Sequence, residues 1–113
     1  GLVGSEMCIR DRGTLVVGLE SGYNRISLDP WLVKPIINPQ NEVGIVFNDG
    51  KCDRKGRYFI GTMHKEFIED AGILWRLDPD LRCHKVDQGF TVSNGLAWSP
   101  NNDILYFADL FPK

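Results

Sequence analysis

The chain has 113 residues, of which 42% are hydrophobic and 25% charged, and its formal net charge is −2 at pH 7. Acidic and basic residues are interspersed, so no basic face is predicted and neither nucleic acid nor an anionic membrane is expected as a partner. No apolar run approaches the roughly 20 residues that a membrane-spanning helix needs. The N-terminus lacks the apolar core of a secretory signal, and we expect a soluble, cytoplasmic protein.

Three cysteines, Cys8, Cys52 and Cys83, lie far apart and form neither a Cys-x-x-Cys pair nor a Cys/His cluster with zinc-ligand spacing. An odd number of isolated cysteines favours ordinary thiols over a disulfide framework or a zinc site. Unpaired thiols are typical of a reducing compartment, which agrees with a cytoplasmic location.

The stretch from Leu2 to Arg12, LVGSEMCIRDR, resembles the translation of a sequencing-library adapter read in frame with the gene that followed it. Its apolar residues recur with neither the two-residue period of a strand nor the 3.6-residue period of a helix. We therefore predict that residues 1–12 are not part of the fold. Residues 13–113 are then expected to be a fragment of one domain, beginning in mid-domain.

From Thr14 onward, short segments rich in β-branched and aromatic residues alternate with Gly, Pro, Asn and Asp, and helical periodicity is absent. Such segments predict β-strands separated by turns. In chain order the predicted strands are 14–19, 23–28, 50–53, 58–62, 73–77, 83–87, 95–99 and 104–108. Prolines at 30, 35 and 39 exclude a long central strand between residues 31 and 46 and leave a short edge strand around residues 34–37.

An internal repeat groups these strands. Asn48-Asp49-Gly50, a strand, a turn and YFIGT at 58–62 are echoed by Ser93-Asn94-Gly95, a strand, a turn and LYFAD at 105–109, so Gly50 and Gly95 lie 45 residues apart. Periods of about 40 to 50 residues with four strands each are typical of propeller blades. We predict one complete blade over roughly residues 47–92 with partial neighbours. A small complete β-sandwich is the alternative.

Five segments carry a family resemblance, and all five occur in the same order. They are FNDGK at 47–51, GRYFIGTM at 56–63, GILWRLDPD at 72–80, SNGLAWS at 93–99 and LYFAD at 105–109. Together they resemble the gluconolactonase/regucalcin (senescence-marker) family over residues 13–113. The resemblance implies an all-β fold, a partial β-propeller with about two blades of a six-bladed ring. It also implies a metal-dependent lactonase that hydrolyses sugar lactones.

The same resemblance implies roles for three residues. Asn94, in the SNG loop, matches the asparagine that coordinates the metal through its side-chain oxygen. Asn48, in FNDG, matches the asparagine that faces the metal site and helps to hold substrate or a metal-bound water. Glu66 matches an acidic residue near the sugar-binding mouth in some members. The general-base aspartate is expected beyond Lys113, so the catalytic residue is not assigned within this chain.

Two departures from the family pattern are visible. The glutamate ligand of the family lies in a GEGP-type motif, and no such motif occurs here. Many members have a substrate-contacting arginine two residues before the FNDG asparagine, whereas this chain has Val46.

The implied cofactor is one divalent cation, Ca²⁺, Zn²⁺, Mn²⁺ or Mg²⁺. Such a cation polarises the lactone carbonyl and lowers the pKa of a bound water, and oxygen ligands of this kind do not fix which metal binds. With only the amide oxygens of Asn48 and Asn94 available, the fragment is expected to be inactive alone.

The same residues also have simpler, purely structural interpretations. Asn-Gly and Asp-Gly pairs are common in tight turns, so both loops could be turns only. We expect Asp49 to accept backbone N–H bonds in its own turn, and His64 and His84 to occupy surface positions rather than bind metal. The large aromatic residues are expected to pack between blades; they are Tyr58, Trp75, Trp98 and Phe107.

The alternative function, from a different class, is a non-catalytic propeller used as a binding scaffold. A third interpretation is a propeller related to esterases or to strictosidine synthase. Propellers of that kind lack the FNDGK segment that this chain contains. The two missing carboxylate ligands, sought in the full-length gene, would decide between enzyme and scaffold.

Overall fold

The computed structural model describes residues 2–11, 14–91, 93–101 and 104–109, with the backbone alone for residues 2–7, 9–11, 93–98, 107 and 108. The described residues form ten β-strands. They are β1 (Leu2–Asp11), β2 (Thr14–Leu19), β3 (Gly22–Leu28), β4 (Trp31–Ile37), β5 (Ile45–Cys52), β6 (Tyr58–His64), β7 (Gly72–Leu77), β8 (Cys83–Phe90), β9 (Ser93–Trp98) and β10 (Leu105–Asp109).

These strands form three antiparallel sheets in which each strand pairs with its neighbours in sequence. The orders are β1-β2-β3-β4, β5-β6-β7-β8 and, for the last two strands, β10-β9. The first strands of the three sheets are adjacent, since β1 packs beside β5 and β5 beside β9. Four-stranded meanders arranged with their first strands together are consecutive propeller blades. The predicted all-β propeller architecture is confirmed, with the second blade complete over residues 45–90.

The core lies between the blades, where neighbouring sheets bury their facing side chains against one another. One cluster joins the first and second blades, and its largest buried members are Val16, Tyr23, Phe47, Tyr58, Ile60 and Leu77. A second cluster contains Phe59 and Leu74, with Phe90 and Leu105 packed against it at the junction with the third sheet. Strand β6 is therefore buried on both faces, which explains its continuous apolar run without polar alternation.

The first two blades approach most closely at Gly18 of β2. A side-chain Cβ at this position would overlap the side chain of Ile60, and the Gly18 N–H donates to the Tyr58 hydroxyl oxygen at 3.3 Å. The Tyr23 hydroxyl in turn donates to the carbonyl of Tyr58 at 2.8 Å. The ring of Tyr23 meets those of Phe47 and Tyr58 edge to face, at centroid distances of 4.9 and 5.5 Å. The blade junction is fixed by packing and by hydrogen bonds together.

Two strands differ from the sequence expectation. Strand β4 begins at Trp31 rather than near residue 34, but it is an edge strand as predicted, so Pro35 removes no hydrogen bond from the middle of a sheet. Strand β5 begins at Ile45, five residues before the predicted start. The NDG segment is therefore part of the strand and not a turn that precedes it.

The N-terminal segment forms β1, which pairs with β2 and is an edge strand of the first sheet. Cys8 is 1% exposed and forms a disulfide with Cys52 of β5, 44 residues away in sequence. The expectation of three free thiols was wrong, because β1 packs beside β5 and brings the two Cα atoms to 5.7 Å. The adapter origin of residues 1–12 is not tested by this pairing and stays a prediction.

Cys83 is the free cysteine among the described residues. No helix long and apolar enough to cross a bilayer occurs in the described part of the chain.

Candidate functional site

Asn48 lies in a β-bulge of β5. Phe47 pairs with Thr62 and Gly50 with Ile60, so β5 advances three residues where β6 advances two. The extra residue falls at Asn48-Asp49, on the strand that lies closest to the first strands of both neighbouring blades. Bulges re-aim side chains and occur often beside active sites. Asn48 is half-buried.

Asp49 behaves as the simpler interpretation predicts. Its Oδ1 accepts the N–H of Gly50 at 3.0 Å, within the bulge. A carboxylate that satisfies the backbone of its own bulge stabilises the irregular strand. Asp49 thus helps to set the position of the adjacent Asn48.

Glu66 lies just beyond β6, at the end of the second blade where β5 begins. It follows β6, whose last residue His64 pairs with Ile45 at the start of β5. The Glu66 side chain is exposed, while its backbone N–H donates to Nδ1 of His64 at 3.0 Å. Asn48 and Glu66 therefore belong to the same blade, with Asn48 in the middle of β5, three residues from the Ile45 end of that strand.

His64 has a structural role at this end. Its ring covers Gly44, where a Cβ would overlap the imidazole, and Nδ1 is used by the Glu66 N–H. The adjacent Lys65 N–H donates to the Gly44 carbonyl at 2.8 Å. His64 thus joins the turn after β6 to the linker before β5.

Asn94 lies on β9, next to β5, and its backbone is paired with Ala108 of β10. The side chain of Asn94 lies outside the described residues, so its role as a metal ligand stays a prediction. Strand β9 also contains a bulge, between the pairs Asn94–Ala108 and Ala97–Tyr106. The SNG segment, like the NDG segment, is thus associated with an irregularity in the first strand of its sheet.

Sequence reasoning missed the residue that supports this end of the blade. Gln40, in the linker between the first two blades, is 6% exposed. Its Oε1 accepts from the Thr62 hydroxyl at 2.6 Å and from Nε1 of Trp75 at 3.3 Å, and its Nε2 donates to the Ala71 carbonyl at 2.9 Å. Three distant segments meet at this one amide, and no local pattern in the sequence signals it.

Among the described residues, two groups have shifted pKa values, and both lie near the β7–β8 turn of the second blade. Burial alone would raise the pKa of Asp78, but the hydrogen bonds and charge of Arg76, with the further charges of His84 and Arg57, hold it below its ordinary value. Nε2 of His84 lies 3.1 Å from Oδ2 of Asp78, so the imidazole contacts this carboxylate on the surface. Burial raises the pKa of the Cys83 thiol to about 11, which leaves it protonated and a poor nucleophile.

The described residues do not by themselves form a cation site. Among them, no three His, Cys, Asp or Glu side chains come together to hold a metal ion. The amide of Asn48 is an oxygen donor suited to a hard cation, but an amide alone brings no charge. Any such ion would need carboxylates from outside the described part of the chain.

The family described as "SMP-30/Gluconolactonase/LRE-like region" matches residues 2–112. The chain belongs to this family. A 6-deoxy-6-sulfogluconolactonase of Pseudomonas putida is 32% identical over 102 residues, covering 89% of this chain and 35% of the relative. Human regucalcin is 43% identical over 68 residues, covering 56% of this chain and 23% of its own length.

Two solved structures share the fold of this SMP-30/gluconolactonase family member. The calcium-binding protein regucalcin from Agrobacterium tumefaciens superposes with a TM-score of 0.85 at 19% identity, covering 96% of this chain and 37% of that protein. A luciferin-regenerating enzyme gives a TM-score of 0.79 at 25% identity, covering 91% and 38%. Both neighbours are six-bladed propellers, and this chain spans little more than a third of either. The predicted family and the partial six-bladed propeller are both confirmed.

Proposed function

We propose that this chain is part of a divalent-metal-dependent lactonase that hydrolyses sugar lactones, and that the chain alone is inactive. The observation that carries the proposal is the β-bulge that holds Asn48 on the first strand of the second blade, beside the strand that carries Asn94. The relative from Pseudomonas putida, named a sulfogluconolactonase, supports the substrate class.

In this proposal Asn94 gives its side-chain oxygen to the cation. The carboxylate ligands and the general-base aspartate come from outside the described residues. When bound, the cation would polarise the lactone carbonyl and acidify a water molecule. The name of the Agrobacterium regucalcin favours calcium among the four candidate ions, and oxygen ligands suit that ion.

Asn48 and Glu66 are the proposed substrate-binding residues. A side-chain amide such as that of Asn48 can accept a hydrogen bond from one substrate hydroxyl and donate to another. Glu66 is exposed, and its carboxylate can accept hydrogen bonds from sugar hydroxyls. Together they would orient the sugar ring at the mouth of the channel.

Val46 argues for a substrate that differs from the usual sugar acid lactone. It precedes Asn48 by two residues, pairs with Met63 and is half-buried. A valine cannot donate a hydrogen bond or pair with an anionic group, as an arginine would. We therefore propose a preference for lactones that lack a carboxylate or sulfonate at that position.

The proposed ligand role can be tested in the full-length protein encoded by the complete gene. We expect Asn94→Ala to weaken metal binding by at least roughly tenfold and to lower lactonase activity, because ligand loss leaves the ion poorly held. His64→Ala, at a site with a purely structural contact, serves as control. Calorimetric titration with Ca²⁺, Zn²⁺, Mn²⁺ and Mg²⁺ measures the metal affinity of both variants. Unchanged affinity in Asn94→Ala would remove Asn94 from the ligand set.

The same gene separates the enzyme from a binding scaffold. A lactonase requires a glutamate before the first described blade and an aspartate after the last one. If neither carboxylate is encoded and no aldonolactone is hydrolysed with any of the four ions, the propeller is a non-catalytic scaffold and the proposal is wrong.

A further inference from the structure

A groove of about 360 Å³ lies between the first and second blades, on a side of the molecule that the proposed lactonase site does not use. It is lined by residues of β2, β3 and β4 and by the turn that joins β7 to β8. None of its named lining residues comes from β1, so it does not depend on the origin of residues 1–12. We call it the Arg25–Lys34 groove, and we propose that it binds a small organic phosphate.

The floor of the groove is a regular part of the first blade. Val16, Arg25 and Lys34 are cross-strand partners on β2, β3 and β4, and therefore point to one face of the sheet. Two residues along each strand, Thr14, Ser27 and Leu32 form the next row on the same face. Two cations, two hydroxyls and two apolar side chains thus form one surface. Val16 is 0% exposed, so the cations stand beside a dry apolar base.

The placement of the two cations is unfavourable without an anion. Arg25 and Lys34 are directly opposite one another, and like charges at such positions repel. In the part of the chain that the structure describes, neither side chain has a carboxylate within 4.0 Å. A bound anion would relieve this repulsion.

The acidic residues on the facing turn are already paired within the second blade. Asp78 accepts from Arg76 at 2.7 Å and meets His84 at 3.1 Å, while Asp80 lies 3.7 Å from Arg82. These carboxylates therefore do not take the place of a ligand for the two cations of the first blade.

The ligand class follows from the charges and the walls. A phosphate monoester carries about −1.5 to −2 charges near pH 7, which matches two cations better than a monocarboxylate does. The guanidinium fork of Arg25 can bind two phosphate oxygens, and the ammonium of Lys34 a third. Leu32 and Leu81, with Pro79, form apolar walls that fit a short carbon body. The volume is at the lower end for small-molecule pockets, which span about 300 to 1,000 Å³.

Leu81 is held over the groove by the backbone. Its φ is +67°, a conformation that costs a leucine energy, and its N–H donates to the Asp78 carbonyl at 2.9 Å. The Leu81 side chain is 39% exposed. A glycine would adopt this turn conformation with less strain, and in the proposed site the Leu81 side chain is the wall against the body of the ligand.

The groove is remote from the Asn48 bulge. Cys52, Tyr58, Leu77 and Cys83 form the last row of the second blade, next to the β7–β8 turn. Asn48 lies four residues before Cys52 on β5, which is roughly 13 Å along the strand. Strand β8 is three strands away from β5, which is roughly 14 Å across the sheet. The β7–β8 side of the groove is therefore separated from Asn48, while Val16 on the first-blade side belongs to the same core cluster as Phe47.

Phenyl phosphate is the first probe, titrated into the 113-residue chain and followed by amide chemical shifts of β2, β3, β4 and the β7–β8 turn. We expect saturable binding that weakens as salt is raised. Inorganic phosphate should bind more weakly because it lacks the apolar body, and benzoate more weakly because it has one charge. No saturable shift in these strands would overturn the proposal, as would benzoate binding as tightly as phenyl phosphate.

Charge variants separate a binding role from a structural one. Arg25→Gln and Lys34→Gln should each weaken phenyl phosphate binding by roughly tenfold, the effect of losing one charged hydrogen bond. The same variants should leave the melting temperature of the ligand-free chain unchanged or higher, because a like-charge pair is removed. Lys65→Gln, an exposed lysine at the other end of the blade, is the matched control. An equal loss of binding in Lys65→Gln would show non-specific attraction and overturn the site.

Leu81→Gly tests the wall. It should weaken phenyl phosphate binding, leave inorganic phosphate binding unchanged and raise stability, since glycine accepts a positive φ. Equal effects on the two probes would contradict the assignment of Leu81 to the apolar body.

Discussion

Asp78 shows how one carboxylate can organise a turn. Two nitrogens of Arg76 donate to its carboxylate, at 2.7 and 3.1 Å. The backbone N–H of Asp78 donates to the Arg82 carbonyl at 2.9 Å. Opposite charges nearby favour the ionised form of a carboxyl group, and in this case they outweigh the opposing effect of burial on its pKa.

A lowered pKa makes stability depend on pH. The folded chain binds the proton of Asp78 less readily than the unfolded chain, so its contribution is complete above the ordinary pKa of 3.8 and is lost as the pH falls below that value. We predict that Asp78→Asn lowers the free energy of unfolding by about 1 kcal/mol at pH 7 and makes it less sensitive to acid between about pH 5 and 2.

Urea titrations at several pH values measure this effect. Asp80→Asn is the matched control, because Asp80 lies on the same turn with a more exposed side chain, 58% against 21%. An equal acid dependence in wild type and Asp78→Asn would contradict the prediction.

At the scale of elements, the linker between the first two blades depends on Gln40. Removing its amide would leave the buried hydroxyl of Thr62, which is 0% exposed, and the indole N–H of Trp75 with fewer partners. Buried donors without acceptors are costly. Because Thr62 lies on β6 opposite Phe47, this loss would also loosen the strand pair that carries the bulge.

We predict that Gln40→Ala destabilises the chain by about 2 kcal/mol. Gln88→Ala, which removes an exposed glutamine that accepts from Lys85 at 3.3 Å, should change stability by less than about 0.5 kcal/mol. Denaturant unfolding of the two variants compares them directly. Similar losses in both would show that the Gln40 contacts contribute little.

The rate of amide exchange in β1 would test the adapter hypothesis. If residues 1–12 come from an adapter, their sequence was not selected for this position, and we predict that amides at Met7–Arg10 exchange much faster than those at Tyr58–Thr62. Ile45–Phe47 on β5 is the fairer comparison, since β5 is also the first strand of its sheet. Hydrogen exchange with mass spectrometry gives all three rates. Protection of Met7–Arg10 equal to that of β5 would contradict the adapter origin.

At the scale of the molecule, the first blade exposes an apolar row. Leu28 and Trp31 are cross-strand partners and are 47% and 66% exposed, and the nearby Val33 is 46% exposed. They alternate with the residues that line the Arg25–Lys34 groove and so lie on the opposite face. In a six-bladed ring both faces of a blade are covered by neighbours.

We therefore predict that the chain associates and shows no measurable lactonase activity by itself. Size-exclusion chromatography, together with a dye for exposed apolar surface, measures association. Hydrolysis of several aldonolactones in the presence of each divalent ion measures lactonase activity. Trp31→Glu should shift the chain toward monomer, because a charge on this face opposes contact. A monodisperse wild-type monomer with metal-dependent turnover would contradict both parts.

The sequence by itself determined the local features of this protein. The alternation of β-formers with Gly, Pro, Asn and Asp set the positions of β2, β3, β6 and β7 to within two residues at either end. The spacing of the two glycine motifs set the blade period. The five motif segments indicated the family. These features depend on neighbours in sequence, or on a period, and both can be read without three-dimensional contacts.

Tertiary structure decided the features that join distant residues. Whether Asn48 and Asp49 form a turn or a bulge depends on how Phe47 and Gly50 pair with β6, and local preference is satisfied by either. The burial of Gln40 depends on three segments that meet only in the fold. The juxtaposition of Arg25 with Lys34 depends on strand register, because a shift of one residue would turn either side chain to the other face of the sheet.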